Sequence, residues 1–217
     1  MNEITTKQKI LNEALRLFSA YGYDSVSVGQ IARAVGIKAP SLYNHFGSKQ
    51  EIFDALLDDS AKRYGSFTRA LSVHVDDASL DGKLFESIGA DALCEKVRQI
   101  FLYSLHDETV APLRRMLTIE QFRSRQIAEM YTRRYVDRMV EYHSGIFRGL
   151  ISAGVIKDED PDSLALIYVS PILLLVGVCD REPEKEAECL EKLERHVRLF
   201  YGTYNIPKAE RQPDMPC

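Results

Sequence analysis

What this chain of 217 residues lacks narrows it first. Its four cysteines, Cys94, Cys179, Cys189 and Cys217, are scattered without a C-x-x-C pair. That spacing fits neither a zinc site nor a disulfide framework, and it suits a reducing compartment. No unbroken apolar stretch follows the N-terminus, so no secretory signal is expected. G-x-S-x-G, H-E-x-x-H and a phosphate-cradling glycine loop are all missing, which argues against an enzyme; no cofactor and no metal are expected. Basic residues are not in excess: 28 against 32 acidic ones give a net charge of −4. This excludes a globally basic nucleic-acid coat and leaves room for a local basic patch.

Runs of alternating β-branched residues are nearly absent, and helical periodicity runs almost from end to end. The expected class is all-α. One segment, Ser163–Cys179, carries no charge, but Ser170, Pro171 and Gly177 interrupt it and its length lies at the lower edge of a membrane span. A helix buried on most sides of a cytoplasmic protein, with no membrane, is the expected reading.

The first helix is expected over about Thr5–Tyr21, ended by Gly22 as a left-handed cap. Ser27-Val28-Gly29-Gln30 is a capping box that starts a short helix ending at Gly36. A third, very short helix is expected over about Pro40–Phe46, with the proline at its first position. Ser48-Lys49-Gln50-Glu51 is a second capping box and opens a long helix striped by Phe53, Leu57, Ser60, Tyr64, Phe67, Leu71 and Val75. Residues from Asp76 to about Gly89 read as a polar connection with one helical turn near Leu84. Helices follow near Asp91–His106, Val110–Phe122 and Arg125–Ala153. Asp160-Pro161-Asp162 then starts the uncharged helix, and a last one bears Leu190, Leu193, Val197, Phe200, Tyr201 and Tyr204.

Three short helices with Gly36-Ile37-Lys38-Ala39 between the second and third make a helix-turn-helix, whose third helix enters the major groove of DNA. Charge agrees. Ser25–Gln50 holds no Asp or Glu, while Arg33, Lys38 and Lys49 supply three positive charges. Ser41, Tyr43, Asn44 and His45 add hydroxyl, ring, amide and imidazole groups suited to phosphates and base edges.

The stretches Ile31-Ala32-Arg33-Ala34-Val35-Gly36-Ile37 and Leu42-Tyr43-Asn44-His45-Phe46-Gly47-Ser48-Lys49 resemble the DNA-binding signature of TetR/AcrR-family transcriptional regulators. The resemblance covers roughly Ile4–Leu57; beyond it, only the helix pattern is similar. It implies phosphate contacts from Ser27 and Lys49, and base or phosphate contacts from Pro40, Ser41, Tyr43 and His45. Gly29 and Ala39 stand where some members carry longer base-reading side chains, which shifts base reading toward Lys38, Ser41 and Asn44 or toward DNA shape. Each residue also has a plainer role: Ser27 as a cap, Tyr43 as a core ring, His45 as a packed imidazole, Lys49 as a solvated first-turn residue. Leu42 and Phe46 fill the inward positions and so direct Tyr43 outward, while a lysine in a first turn opposes the helix dipole and calls for a further reason.

The remainder is rich in rings and methionines. Tyr64, Phe67, Phe101, Met116, Tyr131, Tyr135, Met139, Tyr142 and Tyr168 are the candidate pocket, with His106 and His143 as polar anchors; ordinary core packing is the competing reading for each. The two last helices are expected to expose apolar faces that a homodimer would pair as a four-helix bundle. The expected organisation is a helix-turn-helix DNA-binding domain over 1–50, a ligand-binding and dimerisation domain over 51–205, and a loose tail over 206–217. The expected function is a ligand-responsive regulator, most simply a repressor released from operator DNA by a small apolar or aromatic molecule. The alternatives are a helical small-molecule carrier or enzyme without DNA binding, and a regulator that activates or answers to a protein partner.

Overall fold

The computed structural model describes residues 4–210, and among them there is no β-strand; one isolated antiparallel bridge joins Ile156 to Asn205. Among the described residues eleven α-helices follow in order: α1 Thr6–Tyr21, α2 Val28–Val35, α3 Ala39–Tyr43, α4 Lys49–Ala70, α5 Ala78–Ser87, α6 Ala90–His106, α7 Val110–Glu120, α8 Arg125–Thr132, α9 Arg138–Ser152, α10 Pro161–Arg181 and α11 Glu186–Tyr204. A π-helical turn, Arg133–Asp137, joins α8 to α9. The chain forms two compact units, residues up to Ser66 with His106–Tyr131, and Phe67–Leu105 with Thr132 onward. The division at residue 50 follows the helix-turn-helix; packing keeps most of α4, together with α7 and α8, with the headpiece.

In the first unit α1 buries Ile10, Ala14 and Phe18 completely, and α2, α3 and α4 close over them with Ile31, Leu42, Ile52 and Phe53. Each such side chain contributes about 1.5–3 kcal/mol by leaving water. Phe18, Tyr23 and Phe53 form a ring trio with centroids 4.8–6.3 Å apart. Gly22 has φ +83 but ψ 155, so it ends α1 without the left-handed cap expected there. Its missing Cβ is needed: one would lie 2.7 Å from the Glu120 carboxyl oxygen.

In the second unit α10 packs on α9 and α11, and α5 packs on α9. The segment read as a polar connection is the ten-residue helix α5. Asp77 caps it, accepting from Ser79 N at 3.1 Å and Leu80 N at 3.0 Å. Gly145 allows its approach, since a Cβ there would lie 2.8 Å from that of Ala78.

Two expectations about the last helices need correction. In this chain α10 buries one face only, through Leu164, Ala165, Tyr168, Val169, Leu175 and Cys179, because neighbours cover it from one side. Leu166, Ile167 and Leu174 stay 52%, 49% and 64% exposed. The helix is long and apolar enough to cross a membrane by length and composition. The stripe of α11 is consumed inside its own unit, with Leu193, Val197 and Phe200 buried, and Leu199 is the large apolar residue it leaves open. After it, Ile206 N donates to Val155 O at 2.8 Å, so the chain is tied down where the tail was expected to loosen. Residues 211–217 of that tail lie outside the described residues.

Candidate nucleic-acid interface

The turn between α2 and α3 is built by backbone hydrogen bonds. Gly36 adopts the left-handed conformation, φ +80 and ψ 26. Its N–H reaches Arg33 O at 3.1 Å, and Ile37 N reaches Ala32 O at 3.0 Å. This paired closure satisfies two orphan carbonyls of α2 and reverses the chain sharply. At the other end of α2 the capping box is complete: Gln30 N donates to Ser27 Oγ at 3.2 Å, and Ser27 N to Gln30 Oε1 at 2.7 Å.

Helix α3 begins one residue earlier than expected, at Ala39, which places Pro40 second rather than first; no partner is lost, because that amide has none within the helix. The helix proper ends at Tyr43, before the expected Phe46. His45 N and Phe46 N both converge on Leu42 O, at 2.8 and 3.1 Å, so the chain tightens instead of continuing. Leu42 and Phe46 are buried, while Tyr43 is 52% exposed. Ser27, Lys38, Pro40, Ser41, Asn44 and His45 are exposed as well. Seven of the eight candidate DNA-contacting residues therefore stand in solvent.

The eighth, Lys49, is engaged. Its Nζ donates to Tyr23 O at 2.9 Å and to Asp24 O at 3.4 Å, and sits 4.4 Å from the centroid of the Tyr23 ring. Tyr23 in turn donates through its hydroxyl to Gln50 Oε1 at 3.1 Å. Burial, with Asp54 and Asp24 nearby, raises its pKa above the ordinary phenol value. The dipole puzzle posed by a first-turn lysine is thus resolved: two carbonyls and a ring face hold the ammonium and staple α4 to the α1–α2 loop. One of its three N–H donors is left for another acceptor. The second capping box is split. Glu51 N donates to Ser48 Oγ at 3.1 Å, but the Glu51 carboxylate accepts from Gly47 N at 2.7 Å rather than from Ser48. That turns the first acid after the acid-free stretch toward the backbone.

The nine candidate pocket residues are divided between the two units. Tyr64, Met116 and Tyr131 fold with the first unit, and the other six with the second. Met116 and Phe101 are each 2% exposed. Phe101 is core among Leu105, Leu175, Cys179 and Leu193, and Tyr168 packs between Phe147 and Phe200. Phe67 stacks on Tyr103, with centroids 4.0 Å apart. Tyr135 lies in the π-helical turn, Met139 packs against the second core, and Tyr142 gives its hydroxyl to Asp81. Among the described residues no cluster of metal-binding side chains occurs.

The residue pattern did not mark the node around Asp81. Buried on α5, its carboxyl accepts from His74 N at 2.7 Å, from His74 Nδ1 at 3.1 Å and from the Tyr142 hydroxyl. Nor did it reveal Tyr23 as the partner of Lys49, since twenty-six residues separate them. His143, named only as a possible anchor, is half-buried. Its Nδ1 lies 2.7 Å from Met139 O, and desolvation lowers its pKa to about 4.

An exposed, acid-free helix-turn-helix followed in the chain by further helices is the pattern of a helical DNA-binding protein. Residues 10–56 match the family described as bacterial regulatory proteins, tetR family. Over 76 residues the chain is 37% identical to the biofilm-operon negative transcriptional regulator IcaR of Staphylococcus epidermidis, covering 35% of this chain and 40% of that protein. Over 200 residues it is 25% identical to the transcriptional regulator AcrR of Shigella flexneri, covering 80% of this chain and 90% of that one. Among solved structures, a TetR-family regulator from Mesorhizobium loti superposes with TM-score 0.67 at 19% identity, over 93% of this chain and 97% of that one. The SmeT–triclosan complex superposes with TM-score 0.64 at 19% identity, over 97% and 99%. The match to the tetR family thus covers the helix-turn-helix and its flanks, and the fold of the chain as a whole is similar to that of TetR-family regulators.

Proposed function

We propose that the protein is a homodimeric repressor that binds operator DNA through α2, α3 and the start of α4 and lets go when a small, largely apolar or aromatic molecule binds its second unit. The observation that carries the DNA-binding half is the solvent-facing set Ser27, Lys38, Pro40, Ser41, Tyr43, Asn44 and His45, in a stretch with no acidic side chain. Lys49 joins them through its remaining N–H donor. Repression is supported by IcaR, named a negative regulator, and release by the triclosan held in the SmeT complex. A cytoplasmic location follows from this reading.

The dimer is assigned to α10. Leu166, Ile167 and Leu174 recur along one face, and a twofold axis would lay each such face on its own copy. Two recognition helices then meet successive major grooves about 34–36 Å apart. Helix α4 runs from the headpiece staple at Lys49 to Ala70 in the second unit, and carries the effector signal along the chain. A coupling of about 1–3 kcal/mol would change operator affinity 5–150-fold.

The test is binding to the intergenic DNA beside the protein's own gene, followed over a range of salt. Log affinity should fall steeply with log salt, by about 0.9 per phosphate neutralised. Binding that is absent or indifferent to salt would sink the proposal.

A further inference from the structure

Resting on the DNA-binding reading above, we propose that Lys7 of α1 is a further phosphate-contacting residue, held at the end of α3 by the ring of Phe46. Lys7 is the second residue of α1, in a first turn that carries no acidic side chain. A cation there opposes the helix dipole, as Lys49 does at the start of α4. The fold answers the two cases differently. Lys49 spends two N–H donors on backbone carbonyls, whereas the Lys7 ammonium lies over the Phe46 ring, 5.1 Å from its centroid.

A ring face attracts the charge as a whole and does not accept full hydrogen bonds, so the N–H donors of Lys7 remain for an outside acceptor. Phe46 is buried and Lys7 is exposed, so the contact joins a fixed ring to a cation in water. Among the described residues no carboxylate pairs with this cation. Glu13, the one acid of α1, is taken by Arg16 at 2.8 Å. The charge of Lys7 is therefore uncompensated within the described fold, while its position is set.

That position is the far end of the recognition helix. Phe46 follows Asn44 and His45, both in solvent, and its N–H donates to Leu42 O at 3.1 Å. A helix lying in the major groove has a phosphate backbone on either side, and cations beside its ends meet those backbones. The next amide is not available to a phosphate, because Gly47 N is taken by the Glu51 carboxylate at 2.7 Å. Lys7 supplies donors to this corner from α1. Lys9 provides the contrast within the same helix. Two residues on, it points to another side of α1 and lines a groove with Asn12, Ala34 and Val35, at the opposite end of α2 from Ser27. It is exposed and equally charged, but it has no contact with the end of α3.

The experiment follows binding of the full-length protein to the intergenic duplex beside its own gene, by fluorescence anisotropy at several salt concentrations. Lys7→Gln should lower the slope of log affinity against log salt by about 0.9, the loss of one phosphate contact. Lys7→Arg, which keeps the charge and the ring contact, should retain the wild-type slope, and so should Lys9→Gln. The melting temperature of Lys7→Gln should stay within about 3 °C of the wild type, because an exposed cation–ring pair contributes little to the fold. An unchanged slope in Lys7→Gln, an equal fall in Lys9→Gln, or a Lys7→Arg slope as low as that of Lys7→Gln would overturn the inference. So would a larger drop in melting temperature, which would make the lysine a part of the fold rather than of the DNA contact. A steep wild-type slope that Lys7→Gln leaves unchanged removes this inference alone; absence of wild-type binding removes the regulator reading and this inference with it.

Discussion

The two compact units treat their polar side chains in opposite ways. On the headpiece, Ser41, Tyr43, Asn44 and His45 stand in water. In the second unit the Asp81 carboxyl and the His143 ring nitrogen Nδ1 are held by partners within the fold. A polar group in water costs little to hold and little to lose, so it is free to evolve toward an external partner. An enclosed one must be matched or it destabilises the fold. Substitutions in the headpiece should therefore separate binding from stability, and substitutions in the second unit should not.

The largest expected effect is at Asp81. Asp81→Ala removes the buried acceptor of the Tyr142 hydroxyl and of two His74 N–H groups, and should cost about 3 kcal/mol in urea unfolding. A change under about 0.5 kcal/mol would break the contrast between the units.

Next in size is a pH effect from His143. Its folded pKa of about 4 lies below the ordinary 6.5, so the unfolded chain binds the extra proton first. Its contribution is complete above pH 6.5 and is lost as pH falls toward 4, amounting to about 3 kcal/mol. Unfolding at pH 7 and pH 5 for the wild type and His143→Gln checks this; equal pH slopes would count against it.

For Tyr43→Ala the expected outcome is at least a tenfold loss of DNA affinity with stability changed by less than about 0.5 kcal/mol, because the ring is half exposed. A stability loss of the size seen for core rings would mean that the side chain belongs to the fold. The smallest effect belongs to Ser27→Ala, about 1 kcal/mol from the lost cap, read by thermal unfolding. Should it also lower the salt slope of DNA binding by about 0.9, the hydroxyl's neighbourhood meets a phosphate as well.

Much of the headpiece was legible because its signals are local. A capping box is four consecutive residues, the Gly36 turn is two, and the inward positions of Leu42 and Phe46 follow from helical spacing alone. What was not legible depends on partners distant in sequence. Lys49 reads as a free cation until the fold brings the Tyr23 carbonyl to it. Helix α5 reads as a connection because its polar residues, Asp77 and Asp81, are doing structural work as a cap and as a buried acceptor. The candidate pocket was the least legible part: helical spacing marks the side of a helix that faces inward, but not which residues it meets there, as Phe101 meets Leu175 and Leu193.

By itself, then, the sequence determined the all-helical class, the helix-turn-helix and the surface it presents, since these follow from backbone preferences and charge within short windows. Only the tertiary structure decided which polar groups are enclosed, where α10 stays uncovered, and which nitrogen of His143 meets the Met139 carbonyl. Those depend on which residues meet across the fold, and desolvation acts only once they have met.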